Sequence, residues 1–280
     1  MAQLAIPLNP ATVRTRALWV PREHGAWGML FVPMLTGAFV ATGSGYAALG
    51  WFTLSALSLF WLRTPVESLL GTSVIRVRTA DERRAAMTAI AIIGGIALLA
   101  LTALFWASEH LGLIVVGAIA GLAFVIQALI KRNRKFRALA QIIGSIGLTS
   151  TAASAYYLVS GKLNVVAFLL WAINWLFAAE QIEFVQLRIR GSKLTTLDER
   201  LRRGTMYIAT LVAIVCAIVM VAVAKLVPAL AIIAFTPAIL RSALWFTSRQ
   251  TSLHVHKLGW MELGNSVLFA TILILALRVA

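Results

Sequence analysis

Phe177 to Gly204 reads FAAEQIEFVQLRIRGSKLTTLDERLRRG. The stretch leaves an apolar segment, carries two carboxylates and then becomes the most charged loop of the chain. Glu180 and Glu183 are one helical turn apart, so on a helix they share a face. Arg188, Arg190 and Lys193 follow within ten residues. Carboxylates buried at the end of a membrane helix are costly unless they are paired or bound to a cation. The pattern predicts a transmembrane helix that ends in a functional site. The alternative is an ion-pair network that only closes the helix end.

The rest of the chain supplies the scaffold. Of its 280 residues, 60% are hydrophobic and 12% charged. A water-soluble fold of this size has no interior large enough for that much apolar side chain. Several apolar runs approach or exceed the ~20 residues needed to cross a bilayer. They lack the period-2 alternation of an outer-membrane barrel, so they are expected to be helices. The fold class is therefore all-α, a polytopic membrane bundle of about nine transmembrane helices. The expected spans are about 27–41, 46–62, 85–107, 111–130, 138–159, 163–179, 205–224, 226–246 (kinked at Pro237) and 258–277. Residues 1–20, with Pro7 and Pro10, read as a flexible cytoplasmic amino terminus. Residues 21–280 read as one transmembrane domain with two pseudo-repeats, about 21–137 and 138–280.

The net charge of +15 sits in short loops, where it sets orientation and meets anionic lipid heads. No long basic arm exists, so membrane lipids and not nucleic acid are the expected partners; protein partners are unknown. With the amino terminus in the cytoplasm and the carboxyl terminus outside, the inside segments hold all Lys and Arg except Lys162, Lys225 and Arg278. Of the acids only Glu109 falls outside. One face thus carries nearly all the chemistry. The lone Cys216 lies mid-span and has no internal disulfide partner. No cleaved leader is read in the first twenty residues. The polar run Gln141, Ser145, Thr149, Ser150, Thr151 and Ser154 predicts a helix that faces inward. Gly94, Gly95, Gly117 and Gly121 read as helix-packing positions. His254 and His256 read as part of a solvated loop, and Glu262 as a cavity-facing acid or a partner of Lys257.

PREHGAWGMLFVP, starting at Pro21, resembles the opening segment of the YwiC-like membrane protein family. The likeness extends to Phe184-Val185, to Arg190 and to GWMELGN at Gly259–Asn265. A more distant resemblance is to the UbiA superfamily of membrane prenyltransferases. It rests on nine helices with charged loops after the second and sixth. That superfamily carries NDxxDxxxD and DxxDxxxD, the second leading into a stretch like GxKTLP. Glu180 and Glu183 match the first two acids of the second motif, and Leu187 stands where the third would be. Gly191, Lys193 and Thr195 roughly match the stretch that follows. Arg63, Thr64, Glu67 and Gly71 stand at the spacing of the first motif, so only Glu67 keeps an acid there.

The UbiA-like resemblance implies Mg²⁺ held by Glu67, Glu180 and Glu183, and an isoprenoid diphosphate neutralised by basic side chains; this chain offers Arg63, Arg188, Arg190 and Lys193 for that, with Glu67 and, at the cytoplasmic entry, Arg22. It assigns Glu180 and Glu183 to catalysis of prenyl transfer at a cytoplasm-facing cavity; His24, in the YwiC-like opening segment, reads as a general acid/base or a phosphate contact, or as a cap of the first span. The alternative is a non-catalytic protein, or a transporter for an anionic amphiphile, in which guanidinium groups bind the anion without metal. The expected location is the bacterial plasma (inner) membrane, as a multi-pass protein.

Overall fold

A computed structural model describes residues 19, 24–71, 76–107, 110–131, 136–248 and 254–279, the side chains of His24, Gly25, Ala107 and Arg137 excepted. Arg22, the His24 side chain, most of the amino-terminal segment and residues 132–135 of the basic run therefore lie outside the described residues. Among the described residues every regular element is a helix. In chain order these are α1 (His24–Val40), α2 (Tyr46–Leu69), α3 (Ala80–Ala107), α4 (Leu111–Lys131), α5 (Arg137–Thr149), α6 (Thr151–Ser160), α7 (Val165–Arg190) and α8 (Leu197–Val223). A 3₁₀ segment (Ala229–Phe235), α9 (Thr236–Thr247) and α10 (Val255–Val279) complete the chain.

Among the described residues, seven helical segments are long and apolar enough to cross a membrane: Ala80–Trp106, Leu111–Lys131, Ala138–Ser160, Val165–Arg190, Leu197–Val223, Ala229–Thr247 and Val255–Val279. The protein is a multi-pass membrane protein built from helices. The first two expected spans are also helical but shorter in apolar length. The apolar part of α1 is Ala26–Val40, and the apolar run of α2 stops before Arg63 and Glu67.

The chain divides into two units. One comprises residues 1–24 and 46–110, with α2 packed against α3. Here the helix ends differ from the expected ones. α2 continues through Pro65 to Leu69, so Arg63 and Glu67 stand on a helix and not in a loop. α3 starts at Ala80, behind a cap in which Glu82 accepts from the amides of Arg78 (2.7 Å) and Thr79 (3.3 Å) while Thr79 Oγ1 accepts from the Glu82 amide. This reciprocal pairing satisfies the orphan donors of the first turn.

The second unit comprises residues 25–45 and 111–280. The expected inward helix is its spine. Ser145, Thr149, Ser150, Thr151 and Ser154 are all buried. The hydroxyls of Ser145, Thr149, Ser150 and Thr151 bond back to carbonyls of the preceding turn, among them Thr149 to Ser145 O (2.8 Å) and Ser150 to Gly147 O (2.7 Å). Such back-bonding bends helices, and the spine breaks at Ser150 into α5 and α6. The hydroxyl of Thr151 also donates to Leu30 O of α1 at 2.9 Å. Trp171 and Trp175 of α7 donate their indole N–H groups to Ile146 O and Ile142 O.

The packing glycines are not the expected ones. A Cβ on Gly95, Gly117 or Gly121 would meet nothing within 4 Å, and one on Gly94 would only graze Leu62. The closest approaches to another helix's backbone are at Gly37, Gly43 and Gly45. There a Cβ would lie 2.0 Å from Ala152 O, 2.0 Å from Val159 O and 1.8 Å from Leu158 O. Backbone meets backbone where α1 and the turn after it cross α6, which is how small residues hold membrane helices together.

Candidate functional site

The helix α7 carries the decisive residues, and it is longer than the sequence predicts. It does not end near Ala179. It runs unbroken from Val165 to Arg190, so Glu180, Glu183, Arg188 and Arg190 all stand on it. It starts at Asn164, whose side chain accepts from the Ala167 amide at 3.2 Å, and stops at Gly191. Phe177, about one turn before Glu180, belongs to an apolar cluster with Phe235 and Phe269; the Phe177 and Phe269 rings stack at 3.9 Å. Phe184, one turn after Glu180, belongs to a second cluster with Leu187, Tyr207, Trp245 and Leu258. Glu180 is thus held between two greasy layers, and it is 0% exposed.

A buried carboxylate in that position needs a cation, and the cation is Arg241 of α9. One guanidinium nitrogen of Arg241 bonds Glu180 Oε1 and another bonds Glu262 Oε2 of α10. The Arg241 side chain is only 8% exposed, and its guanidinium lies over the Phe184 ring, 3.9 Å from the centroid. The Tyr207 hydroxyl of α8 donates to the same Oε1 of Glu180 and also meets the Ser242 hydroxyl. Ser242 in turn reaches Ala238 O at 2.7 Å. Gln181 spends its amide on Glu262 O and Ser266 Oγ, both at 2.8 Å.

The depth is consistent across helices. Glu180 lies ten residues before Arg190, Tyr207 ten after Leu197, Arg241 six before Thr247 and Glu262 seven after Val255. At 1.5 Å per residue, all four helices bring their polar group to the centre from roughly 9–15 Å inside one end of the unit. Three members keep a buried atom with no hydrogen-bond partner: Glu180 Oε2, Glu262 Oε1 and Arg241 Nε.

The sequence-predicted residues are only partly brought together. Glu180 is at the centre. Glu183 is half-buried on the same helix, where it engages Thr210 and lies within electrostatic reach of Glu180 and Arg190. Arg188 lies over the Trp245 ring, 5.7 Å from its centroid. Arg190 and Lys193 are exposed at the end of α7. Arg63 and Glu67 belong to the other unit, where they pair with each other at 2.8 Å. The stretch expected to follow the acidic motif is a helix cap: Thr196 and Glu199 form a capping box, and the Thr195 amide donates to Glu199. Glu262 pairs with Arg241 and not with Lys257.

Three residues of the cluster escape the sequence reading. Arg241 counts there among the cytoplasmic charges, and Tyr207 and Ser242 are read as ordinary span residues. The signal available was an arginine well inside an apolar run, which in a membrane helix marks a paired or functional position. Arg200 is a further buried cation, 1% exposed. It donates to Leu194 O at 3.2 Å and to Trp245 O at 2.8 Å, and also to Ser248 O. It thereby answers the carbonyls at the carboxyl end of α9, a position that favours positive charge.

Magnesium does not fit this donor set. Oε1 of Glu180 is already taken by a guanidinium and a phenol, and Arg241 sits between the two carboxylates. Among the described residues no three His, Cys, Asp or Glu side chains gather as a metal-binding group. The cluster can instead pair buried charge within the bundle and join α7, α8, α9 and α10. Removing the phenol tests the join: Tyr207→Phe is expected to lower stability by about 1.5–3 kcal/mol, the range for a hydrogen bond to a charged group. Chemical or thermal unfolding in detergent would check this, with Ser242→Ala expected to cost less.

No curated protein and no solved structure matches the chain. The family model described as YwiC-like protein matches residues 20–160. That segment includes the PREHGAWG sequence and ends before Glu180. It spans 141 of 280 residues, and on that match the protein belongs to the YwiC-like family.

Proposed function

We propose that the protein binds the phosphate or diphosphate head of an isoprenoid or other lipid at the cytoplasmic end of α7, in the bacterial plasma membrane, through cationic side chains and without a metal. The observation that carries this reading is how the charges are divided. The buried acids Glu180 and Glu262 are committed to Arg241. Arg188, Arg190 and Lys193, at the end of the same helix, have no salt-bridged carboxylate among the described residues. Guanidinium groups grip phosphate oxygens directly, and a helix end rich in Arg and Lys attracts anionic lipid heads. The apolar flank of the helices would take the lipid tail.

This reading keeps the ligand class of the UbiA-like resemblance and sets aside its metal. Prenyl transfer on the UbiA pattern requires carboxylates that can hold Mg²⁺ on diphosphate, and Glu180 is poorly placed for that beside Arg241. The protein is then a lipid-phosphate binder or a transporter for such an amphiphile.

Lipid mass spectrometry on the purified full-length protein tests the reading. A phosphate-bearing lipid is expected to co-purify, to survive chelation of divalent cations, and to fall at least ~10-fold in the Arg188→Ala/Arg190→Ala/Lys193→Ala variant, the effect of losing 1.4 kcal/mol or more of binding. Equal lipid in that variant would refute the assignment to these side chains. Loss of the lipid on chelation would return the metal-dependent reading.

A further inference from the structure

The charges at the centre of the second unit do not sum to zero. Two buried carboxylates, Glu180 and Glu262, share one guanidinium, Arg241. With both acids ionised, one negative charge would stand uncompensated in a nearly water-free layer, at a cost of several kcal/mol. One further positive charge is required, and the hydrogen bonds indicate where it goes.

Glu180 has the fuller set of donors. Its Oε1 accepts from both Arg241 and the Tyr207 hydroxyl, while its Oε2 has none. Glu262 receives less. Its Oε2 meets Arg241, and its Oε1 is buried with no hydrogen-bond partner. Both amide hydrogens of Gln181, the nearest donor on α7, go to Glu262 O and Ser266 Oγ. The other groups that bear on Glu262 are few. From α7 they are Glu180, the Gln181 side chain, which also interacts with the Glu262 carboxyl without reaching its free oxygen, and, at longer range, Arg188, which is half-buried and stacked on Trp245; Glu183 acts on Glu180. α8 supplies Tyr207, and α9 supplies Arg241 and Ser242. From α1, Gly28 adjoins Leu263 and Ser266, and the described side chains of α1 include no titratable group. None of these places a second cation on the free oxygen.

We infer that Glu262 binds one exchangeable proton on Oε1, making Glu180, Arg241 and Glu262 a proton-binding site inside the helix bundle. The step is a single protonation: the carboxylate of Glu262 takes a proton, one O–H bond forms and no other bond changes. Bound, the proton leaves one carboxylate, one guanidinium and one carboxylic acid, a neutral set. Released, it leaves one buried negative charge against which α7, α9 and α10 must adjust. A charge step of this kind is what proton-coupled membrane proteins use. The inference is independent of lipid-phosphate binding.

Infrared spectroscopy of the full-length protein in lipid nanodiscs, titrated from acid to alkaline pH, tests it. The wild-type protein is expected to show, at neutral pH, a protonated carboxyl C=O band that shifts on exchange into D₂O. The band should be lost in Glu262→Gln and kept in Glu183→Gln, and Glu262→Asp should move it without abolishing it. Glu262→Gln, a neutral mimic of the protonated acid, should also retain wild-type thermal stability at neutral pH. The absence of such a band from the wild-type protein at neutral pH would overturn the proposal, even if no variant folds. So would its persistence in Glu262→Gln, or its disappearance when sodium replaces potassium, which would assign the site to a metal cation.

Discussion

Arg241→Ala is expected to be the most damaging single substitution in the second unit, lowering stability by about 3–5 kcal/mol, the cost of removing one partner from a buried ion pair. The reason is the arrangement around it. Arg241 is the guanidinium that contacts both Glu180 and Glu262, and its face covers Phe184. Its loss strands the Glu180 carboxylate and deprives Glu262 of its partner in a layer bounded by Phe177 and Phe184, where water has little access. Arg241→Lys should recover only part of the loss, because an ammonium is a point charge and has no planar fork to span two acids. The decisive comparison is a triple variant, Arg241→Met with Glu180→Gln and Glu262→Gln. With no charge left to answer, it should regain most of the wild-type stability, since well-packed neutral replacements of buried ion pairs are often no worse than the pair. Thermal unfolding of the detergent-solubilised protein reads all three. If Arg241→Ala melts within a degree or two of wild type, the cluster does not hold these helices together.

Gly37→Ala should destabilise by about 1–3 kcal/mol or more, the range for overpacking a filled site, and Gly45→Ala at least as much. The added methyl at Gly37 would sit 2.0 Å from Ala152 O, and at Gly45 1.8 Å from Leu158 O. The obstacle is backbone in both cases, so no rotamer change relieves it; α1 has to move off α6. That movement would also pull Leu30 O away from the Thr151 hydroxyl. Gly117→Ala and Gly121→Ala serve as matched controls. They add the same methyl to open space on α4 and should change stability by less than ~1 kcal/mol, if anything favourably, because Ala is the better helix former. A proteolysis or unfolding assay that ranks the four substitutions alike would contradict the crossing of α1 and α6.

Composition and local pattern determined the class of this protein. The apolar runs required membrane helices, because no other element satisfies its backbone without water except a closed barrel, whose alternation is missing. The polar run from Ser145 to Ser154 announced an inward-facing helix for the same reason: exposed to lipid, its hydroxyls would be costly. Such readings succeed because each depends on residues close together in the chain. PREHGAWG likewise sufficed for the family resemblance. Glu180 was legible as a costly buried acid from its place in the chain.

What answers Glu180 was not legible. Arg241 is 61 residues away, Tyr207 is 27 away, and Glu262 is 21 beyond Arg241. Periodicity places each on its own helix but does not say which helices adjoin or how they are rotated. That is set by packing, by Phe177 on Phe235 and Phe269 and by Trp245 against Phe184. The same holds for the glycines. Gly117 and Gly121 have the spacing of a packing motif and face open space, whereas Gly37 and Gly45 carry the contact. The helix ends also followed tertiary and capping interactions: α7 runs past its acids to Gly191, where the chain turns toward the capping box at Thr196. The amino-acid order determined that charges would have to be buried and paired. Only the tertiary structure decided the pairs, because burial is a property of a residue's surroundings and those surroundings come from distant parts of the chain.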